Sequence, residues 1–453
     1  MVDFFEELAE QCVETNDPPL VDELKQMMLD KAAGVFLWVA LVVDILNKEY
    51  RRGRLALRKR LQEVLSELKH MEDLLLSILW ILLAERPLKP GEYYHTLWSG
   101  LSLKGLVDIE IPPVNTSDAS DCINKCIISS SKGLAEITKA KKPTVQFTHE
   151  SVRDFLIKDK GLYELWPELG IDWESQAHER LKLCCNAYVF HEAIGKAIDG
   201  QQSIEAQRIK DDMLKQFPFL EYASQFVLGH ANAAAHKITQ QRFISEFPVP
   251  MWVRIFNIFE KHQVRRYSEE ADVLYILADR GHPDLIRMRL EVNPRIDGGG
   301  GRYRHPLLAA ITKGNKESVV ALLGPSSKVH NGIDITDGLK CKMDSVRPNH
   351  TPLSWACEEG HLSIAAVLLD QGAQVGVDDF SKFVGSGNVE VVRMLLEKEV
   401  DATAADKDGT TPLHLALQRD HSEIAKMLLE KGVDATAADN LGWTPPVWEI
   451  GGL

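Results

Sequence analysis

The sequence predicts a mostly α-helical protein, with helices and one β-hairpin in its first part and a solenoid of short helix pairs at its C-terminal end. Three observations carry this prediction. A motif near the end of the chain begins at Asp401 and recurs from Asp434. Apolar residues before it follow helical spacing, and one short stretch changes to the alternating spacing of β-strands.

The strongest of these signals is the internal repeat. Asp401–Pro412 reads DATAADKDGTTP and Asp434–Pro445 reads DATAADNLGWTP. The step between them equals the ankyrin period of about 33 residues, and Thr411–Ala416, TPLHLA, matches the T-P-L-H-x-A signature. Thr caps the first helix of such a repeat, and Pro occupies its first turn, where a missing N–H costs little. The sequence therefore predicts an α-helical ankyrin-repeat solenoid.

The array is expected to span residues 266–453 with about five irregular repeats. The second helix of each repeat carries a marker leucine, at Leu290, Leu323, Leu369, Leu396 and Leu429. The step from Leu323 to Leu369 is longer than one period, which indicates an insertion at Pro325–Asn349. The step from Leu369 to Leu396 is shorter than one period, which indicates a shortened repeat around Gly376–Gly385. A further motif begins at Trp443 and breaks off. Either Trp443 and Trp448 cover the open end of the array or the array is truncated at its C-terminus, and we favour truncation.

Composition and charge argue against several classes of function. The chain has 453 residues and a net charge of -14, which argues against a general nucleic-acid binder. Its seven cysteines include no C-x-x-C pair, so we expect reduced thiols. The longest apolar run, Gly34–Val43, is shorter than the roughly 20 residues of a membrane span, and the N-terminus lacks the basic residues of a secretion signal. We expect a cytoplasmic protein without a membrane partner. A nuclear location is the alternative, because the basic cluster at Arg51–Arg60 is of the kind that serves as a nuclear-import signal.

Helical patterns surround one hairpin before the repeats. The helices are predicted at Val21–Lys31, Gly34–Asn47, Leu55–Lys69, Met71–Ala84, Lys89–Trp98, His149–Lys158, Gln176–Val189, Phe217–Ala235 and Met251–Lys261. Leu134–Lys139 and Thr144–Phe147 read as two strands around Ala140–Pro143. Helices, then a hairpin, then a helix are the outline of a winged-helix-type domain.

Several stretches of this region resemble fungal NACHT-type proteins of the NLR-like, STAND class. They are GVFLWVALVVDILNKEY, LLLSILWILLAERPLKPGEYY, SSSKGLAEITK, VQFTHESVRDFL, LYELWPELG and FPFLEYASQFVLGHANAAA. In that family they belong to the helices and the winged-helix domain that follow the nucleotide-binding core, and ankyrin repeats often come next. The resemblance extends over about Asp22–Ala235. It implies a sensor of innate recognition or incompatibility whose repeats sense a ligand.

The resemblance implies four regions. They are a helical segment at 1–70 after the missing NACHT core, a winged-helix-type domain at 71–165, a helical connector at 166–265 and the ankyrin repeats at 266–453. The NTPase core would precede residue 1, and the chain contains no G-x-x-x-x-G-K-[ST] motif to hold nucleotide phosphates. We therefore expect no cofactor in this chain.

No pattern of catalytic or metal-binding residues emerges. Three His-Glu dipeptides occur, beginning at His149, His178 and His191. Each lacks the second His four positions later that a zinc protease needs. Asp406–Gly409 resembles a calcium loop without its first and last ligands, so we interpret it as a finger turn between repeats. Gly298–Gly301 lacks the Lys of a phosphate loop and is interpreted as a flexible loop between repeats. We expect the chain not to be an enzyme.

The predicted site is a protein-binding face. In ankyrin arrays, exposed residues of the finger turns and first helices line a concave surface. The residues at these positions are Trp355, Glu358, Glu359, Asp406, Lys407, Asp408, Gln418, Arg419 and Trp443. Trp355 has two interpretations, as an exposed aromatic anchor for a partner or as a side chain packed between repeats.

Non-catalytic recognition and scaffolding through the repeats, by an NLR-like sensor fragment, is the favoured function. One alternative is a truncated form of a nucleotide-hydrolysing NACHT signalling switch. A second alternative is a DNA-binding regulator that uses the winged helix, with Lys139, Lys141 and Lys142 at the hairpin tip against the DNA backbone. The helix before the hairpin offers only Lys125 as a base, which disfavours that second alternative.

Overall fold

The computed structural model describes residues 72–114, 119–158, 161–200, 206–296, 298–324, 329–330, 333–334 and 351–445. These residues belong to two compact units, Met1–Thr239 and Gln240–Leu453. The helices predicted at Val21–Lys31, Gly34–Asn47 and Leu55–Lys69 lie outside the described residues. Within the described ranges, no helix is both long and apolar enough to cross a membrane.

The first unit holds nine α-helices, one 3-10 helix at Pro167–Leu169 and one two-stranded sheet in its described residues. In chain order the elements are α1 (Glu72–Leu83), α2 (Pro90–Leu103), α3 (Ala119–Ser130), β1 (Ala135–Ile137), β2 (Val145–Phe147), α4 (Glu150–Ile157), α5 (Gly161–Leu165), α6 (Trp173–Val189), α7 (Glu192–Asp199), α8 (Ala206–Gln216) and α9 (Leu220–Ala235). The helices predicted between Met71 and Ala235 are all present, with ends shifted by a few residues. The mostly α fold class is confirmed.

The predicted hairpin is also present. β1 pairs antiparallel with β2 along the whole of both strands. Its loop is closed by Thr138, whose backbone N–H donates to the carbonyl oxygen of Thr144 at 2.9 Å. Val145 is buried, and its N–H donates to the carbonyl oxygen of Leu88 at 2.9 Å. The hairpin is therefore attached to the helical core along β2.

The core of the first unit is aromatic. α6 and α9 pack along each other, and Trp80 of α1 is completely buried. The Trp80 ring meets Phe219 edge-on at 5.4 Å and Tyr222 edge-on at 5.7 Å between centroids. Each pair of this geometry contributes roughly 0.5–1.5 kcal/mol beyond the burial of its area. These rings hold α1 and the start of α9 in one core.

One ion pair of this unit is largely buried. Glu92 is 1% exposed, and its two carboxylate oxygens accept hydrogen bonds of 2.8 Å from the guanidinium group of Arg86. The backbone N–H of Lys89 donates a third bond to Glu92 at the start of α2. Burial by itself would raise the pKa of Glu92, but the bonds from Arg86 and Lys89 outweigh burial and lower that pKa. The carboxylate is therefore ionised inside the protein.

A chain of polar groups joins α6 to α9. The hydroxyl of Tyr222 accepts from the N–H of Glu85 at 2.9 Å and bonds Nε2 of His230 at 3.0 Å. If the hydroxyl donates to Nε2, the ring proton of His230 lies on Nδ1, which faces Nδ1 of His178 at 2.9 Å. Burial lowers the pKa of both histidines, and that of His230 falls to about 3. Both rings are neutral at pH 7.

The second unit holds twelve α-helices in its described residues, arranged as two leading helices and five pairs. They are α10 (Gln241–Glu246), α11 (Val249–Phe259), α12 (Val273–Arg280), α13 (Pro283–Val292), α14 (Pro306–Thr312), α15 (Lys316–Leu323), α16 (Pro352–Glu358), α17 (Leu362–Asp370), α18 (Val377–Gly385), α19 (Val389–Glu397), α20 (Pro412–Gln418) and α21 (Ser422–Glu430). A 3-10 turn at Gln263–Arg265 and two short strands, β3 (Val329–His330) and β4 (Ile333–Asp334), complete the described elements.

The five pairs stack as repeats. Each first helix packs on the next in the order α12, α14, α16, α18 and α20, and the second helices do the same from α13 to α21. Leu368, Leu395 and Leu428 of three second helices are completely buried in these contacts. α10 packs against α13, so a helix that precedes the repeats covers part of the first pair. One pair cannot bury its own apolar face, and stacking supplies the core.

The insertion lies between α15 and α16, as predicted from the leucine spacing. Its described part is the antiparallel pair of β3 and β4. α16 packs on α14, and α17 packs on α15, although the insertion separates them in the sequence. The second and third repeats are therefore direct neighbours.

The shortened repeat keeps both of its helices. The segment between α17 and α18, residues 371–376, is less than half as long as the segment between α19 and α20, residues 398–411. α18 begins after Gly376, which provides no side-chain cap. The missing residues therefore belong to the finger turn, because the two helices are the parts that must stack on their neighbours.

Candidate functional site

The most regular repeat shows how the sequence motif positions the candidate face. Thr411 precedes α20, and its backbone N–H donates to Nδ1 of His414 at 3.2 Å. Because Nδ1 accepts this bond, Nε2 carries the proton and donates to the carbonyl oxygen of Trp443 at 3.0 Å. His414 thus closes the start of its own helix and holds the next finger turn against it.

The finger turns are held by aspartate side chains. Oδ1 of Asp406 accepts from the backbone N–H groups of Asp408 and Thr410, both at 2.9 Å. Asp439, the equivalent residue of the next motif, accepts from Leu441 and Trp443 in the same way, at 2.9 and 2.8 Å. The acidic Asp406–Gly409 segment is therefore a turn, as predicted. The Asp406 carboxylate accepts hydrogen bonds from the backbone of that same turn.

Adjacent fingers are joined to each other. The side-chain amide of Asn440 donates to the carbonyl oxygen of Lys407 at 3.0 Å, and its backbone N–H donates to the carbonyl oxygen of Asp408 at 3.0 Å. These bonds use backbone oxygens only. The side chains of Lys407 and Asp408 remain exposed on the surface that the two fingers share.

Six of the nine residues nominated from the sequence are exposed. They are Glu359, Lys407, Asp408, Gln418, Arg419 and Trp443. Trp443 is the most exposed aromatic side chain among the described residues, at 70%. Asp406 is half-buried because it holds its turn. Glu358 is half-buried and forms an ion pair with Lys382 of the following repeat at 3.1 Å.

The expectation that Trp355 is an exposed anchor is wrong. Its side chain is 5% exposed and lies between repeats, the second of its two interpretations. Nε1 of Trp355 donates to Oγ1 of Thr312, the last residue of α14, at 2.9 Å. The reason is the stacking of α16 on α14, which turns this position of the helix toward the preceding repeat.

A cavity of about 210 Å³ lies at the other end of the array, and the sequence reasoning missed it. Tyr267, Tyr275 and Tyr303 lie in its wall. Four basic residues also line it: Arg265, Arg266, Arg302 and Lys313. It adjoins a shallower depression that includes Arg304. We name the five basic residues the basic groove. The sequence feature that could have indicated this cavity is the mixture of Arg and Tyr at 265–267 and again at 302–304.

The four-glycine run forms one side of this groove. The carbonyl oxygens of Gly299 and Gly300 accept from the N–H groups of Asp272 and Ser268, at 2.8 and 2.9 Å. A Cβ atom on Gly301 would lie 2.7 Å from the ring of Tyr275, and one on Gly300 would lie 2.5 Å from Ala271. The run does connect two repeats, but it packs closely against the first repeat. Glycine is required there by close approach, not by flexibility.

A comparison with protein-family models agrees with the repeat assignment. A family model described as ankyrin repeats (three copies) matches residues 273–379 and 380–439. The C-terminal region of the chain therefore consists of ankyrin repeats, as the sequence predicts. The chain is also similar to the crystal structure of the ankyrin repeat domain of Bcl-3, described as a member of the IkappaB protein family. That match has 17% identity and a TM-score of 0.34, over 46% of this chain and 92% of the other.

Proposed function

We propose that this chain is a non-catalytic recognition protein that binds a protein partner on the face formed by the finger turns and first helices of its ankyrin repeats. The observation that supports this most directly is the arrangement at the last repeats. Lys407, Gln418, Arg419 and Trp443 expose their side chains while the backbone around them is tied between repeats. A face that is rigid before binding loses little conformational entropy when a partner docks.

The proposal includes an NLR-like context. Its support is the resemblance over about Asp22–Ala235 to NACHT–ankyrin proteins, together with the order of α3, the β1–β2 hairpin and α4, which fits a winged-helix-type domain. In this proposal the regions at 1–70, 71–165 and 166–265 are the helical segment, the winged-helix-type domain and the connector, and the repeats are the sensing end. The protein acts in the cytoplasm.

The test is affinity capture with the full chain as bait and two charge-matched variants. One variant changes the candidate face, Lys407→Glu with Arg419→Glu. The control changes two exposed lysines at the second helix of the same repeat, Lys426→Glu with Lys431→Glu. Both variants change the net charge by the same amount. A difference in the proteins that they retain is therefore caused by the position of the changed residues and not by the total charge.

We expect proteins retained by the unmodified chain to be lost with Lys407→Glu/Arg419→Glu and kept with Lys426→Glu/Lys431→Glu. Equal retention by all three baits would place the partner elsewhere and contradict the proposed face. Far-UV circular dichroism and thermal unfolding of each bait establish that the repeats remain folded.

A further inference from the structure

The basic groove gathers several unpaired bases around one cavity and the depression beside it. Arg265, Arg302, Arg304 and Lys313 have exposed side chains that form no hydrogen bond or ion pair with any residue that the structure describes. In the later repeats, three bases are paired: Lys382 with Glu358, Arg393 with Glu423, and Lys398 with Asp370. The other bases there, such as Lys407 and Arg419, are exposed but line neither the cavity nor the depression beside it. The groove therefore presents four positively charged side chains that are not paired with any described acid.

One acid lines the same cavity, and it is already engaged. The carboxylate of Asp279 accepts a hydrogen bond of 2.7 Å from the hydroxyl of Tyr267. Arg266 is held by the carbonyl oxygen of Glu260, at 3.3 Å from one of its terminal nitrogens. The cavity wall is thus net positive, and at least part of that wall is fixed in place.

The charge of the array changes sign along its length. Residues 261–324 contain 11 Lys and Arg against 8 Asp and Glu, a net charge of +3. Residues 351–445 contain 7 against 16, a net charge of −9. A long polyanion that followed the array would meet repulsion beyond the second repeat, whereas a short acidic segment would fit the positive end alone. This favours a peptide over a nucleic acid.

The size and chemistry of the cavity point to side chains rather than to a whole small molecule. About 210 Å³ is below the roughly 300–1,000 Å³ of typical small-molecule pockets. Arginine guanidinium groups bind carboxylates through two parallel hydrogen bonds. The guanidinium carbon of Arg302 lies 5.4 Å from the centroid of the Tyr303 ring, a contact that limits its rotation.

We propose that the basic groove docks an Asp- and Glu-rich segment of a protein partner, with one or two carboxylate side chains inside the cavity between Tyr267, Tyr275 and Tyr303. This assignment rests on the proposed function, because it names the chemistry of the partner that the repeats recognise. It places that contact on the first two repeats.

Fluorescence anisotropy with the full chain tests the assignment. The probes are a labelled twelve-residue peptide of alternating Glu, Asp and Gly, the same peptide with Gln and Asn replacing the acids, and a labelled single-stranded oligo-dT of equal length. The groove variant is Arg302→Glu with Lys313→Glu, and the matched control is Lys426→Glu with Lys431→Glu. We expect the acidic peptide to bind the unmodified chain and the control, and the groove variant to bind about tenfold more weakly.

Three results would overturn the assignment: no difference between the acidic and amide peptides, equal binding by the two variants, or tighter binding of the oligonucleotide with the same loss in the groove variant. Light scattering adds a fourth: if the groove variant converts a dimer to a monomer, the occupant is a second copy of the chain. The anisotropy experiment can fail while Lys407→Glu/Arg419→Glu still loses the captured proteins. That combination would leave the proposed function standing and exclude only the basic groove as a binding site. Failure of both experiments would reject the proposed function as well.

Discussion

The indole nitrogen of Trp355 donates a hydrogen bond of 2.9 Å to the hydroxyl oxygen of Thr312, across the junction between the second and third repeats. The two residues are 43 positions apart in the sequence, because the insertion lies between them. Thr312 also donates to the carbonyl oxygen of Leu308 at 2.8 Å, so its hydroxyl group both accepts and donates. This bond joins two repeats that the sequence separates.

Truncation of Trp355 is expected to destabilise the array without touching its exposed face. Trp355→Ala should lower the free energy of unfolding by about 3–5 kcal/mol, since it leaves a cavity between repeats. Trp355→Phe should cost less, about 1 kcal/mol for the lost hydrogen bond. Urea unfolding followed by circular dichroism measures both.

Trp443→Ala is the matched control. Its side chain is 70% exposed, so the change in the free energy of unfolding should stay within about 0.5 kcal/mol. A Trp355→Ala protein as stable as Trp443→Ala would show that the Trp355 side chain does not pack between repeats.

The close approach of Gly301 to Tyr275 gives a second prediction. The Tyr275 ring is buried, and its hydroxyl accepts a hydrogen bond of 3.1 Å from the N–H of Tyr303, so the ring has little freedom to move away. Gly301→Ala should therefore destabilise the array by about 1–3 kcal/mol. Gly299→Ala is the control, because the nearest atom to its new Cβ is 3.4 Å away. Equal thermal unfolding midpoints for the two variants would contradict the close packing of the run.

The pair of Arg86 and Glu92 gives a third prediction. Arg86→Ala leaves a carboxylate that is 1% exposed without its main partner, and removal of one member of a buried pair costs about 3–5 kcal/mol. Arg86 is itself 31% exposed, which favours the lower end of that range. The double variant Arg86→Ala/Glu92→Met should recover most of the loss, since no unpaired charge remains. Chemical unfolding of the three proteins measures the difference.

Acid should destabilise the first unit through its buried histidines. The pKa of His230 is about 3 in the folded protein against 6.5 for the unperturbed group, so the unfolded chain binds more protons between these values. Stability is therefore fully present above about pH 6.5 and is lost as the pH falls, by up to roughly 1.4 kcal/mol per pH unit for each such group. Hydrogen exchange of α6 and α9 between about pH 7 and pH 5 should show this loss, after correction for the intrinsic rate of exchange.

His178→Gln removes one titrating ring and keeps a hydrogen-bond acceptor beside His230. The variant should show a weaker dependence of protection on pH in the same two helices. If the unmodified protein and the variant respond alike, the acid sensitivity of this unit comes from groups other than this pair.

Local signals predicted most of the elements. TPLHLA at Thr411–Ala416 specified a helix that begins at Pro412 behind a capping threonine, and the structure has α20 there. The alternation around Ala140–Pro143 predicted the hairpin of β1 and β2. The leucine spacing located both the insertion and the short repeat. Each of these features depends on short sequence patterns, which a sequence displays directly.

Long-range relationships were not predictable in the same way. His178 and His230 are 52 positions apart, and nothing near either residue indicates that they meet. The basic residues of the groove come from two segments, 265–266 and 302–313, that only stacking brings to one cavity. Trp355 was assigned two opposite environments because a helix alone does not reveal which neighbour covers each side.

The sequence by itself determined that residues in the C-terminal region form ankyrin repeats and that a largely helical region precedes them, because helix caps, turns and apolar periods are local. Tertiary structure decided which side chains the array exposes. Stacking of α16 on α14 buried Trp355 against Thr312, and packing of the glycine run against Ala271 and Tyr275 shaped the wall of the basic groove. The physical reason is that burial in a solenoid is a property of neighbouring repeats, and each repeat alone leaves it undetermined.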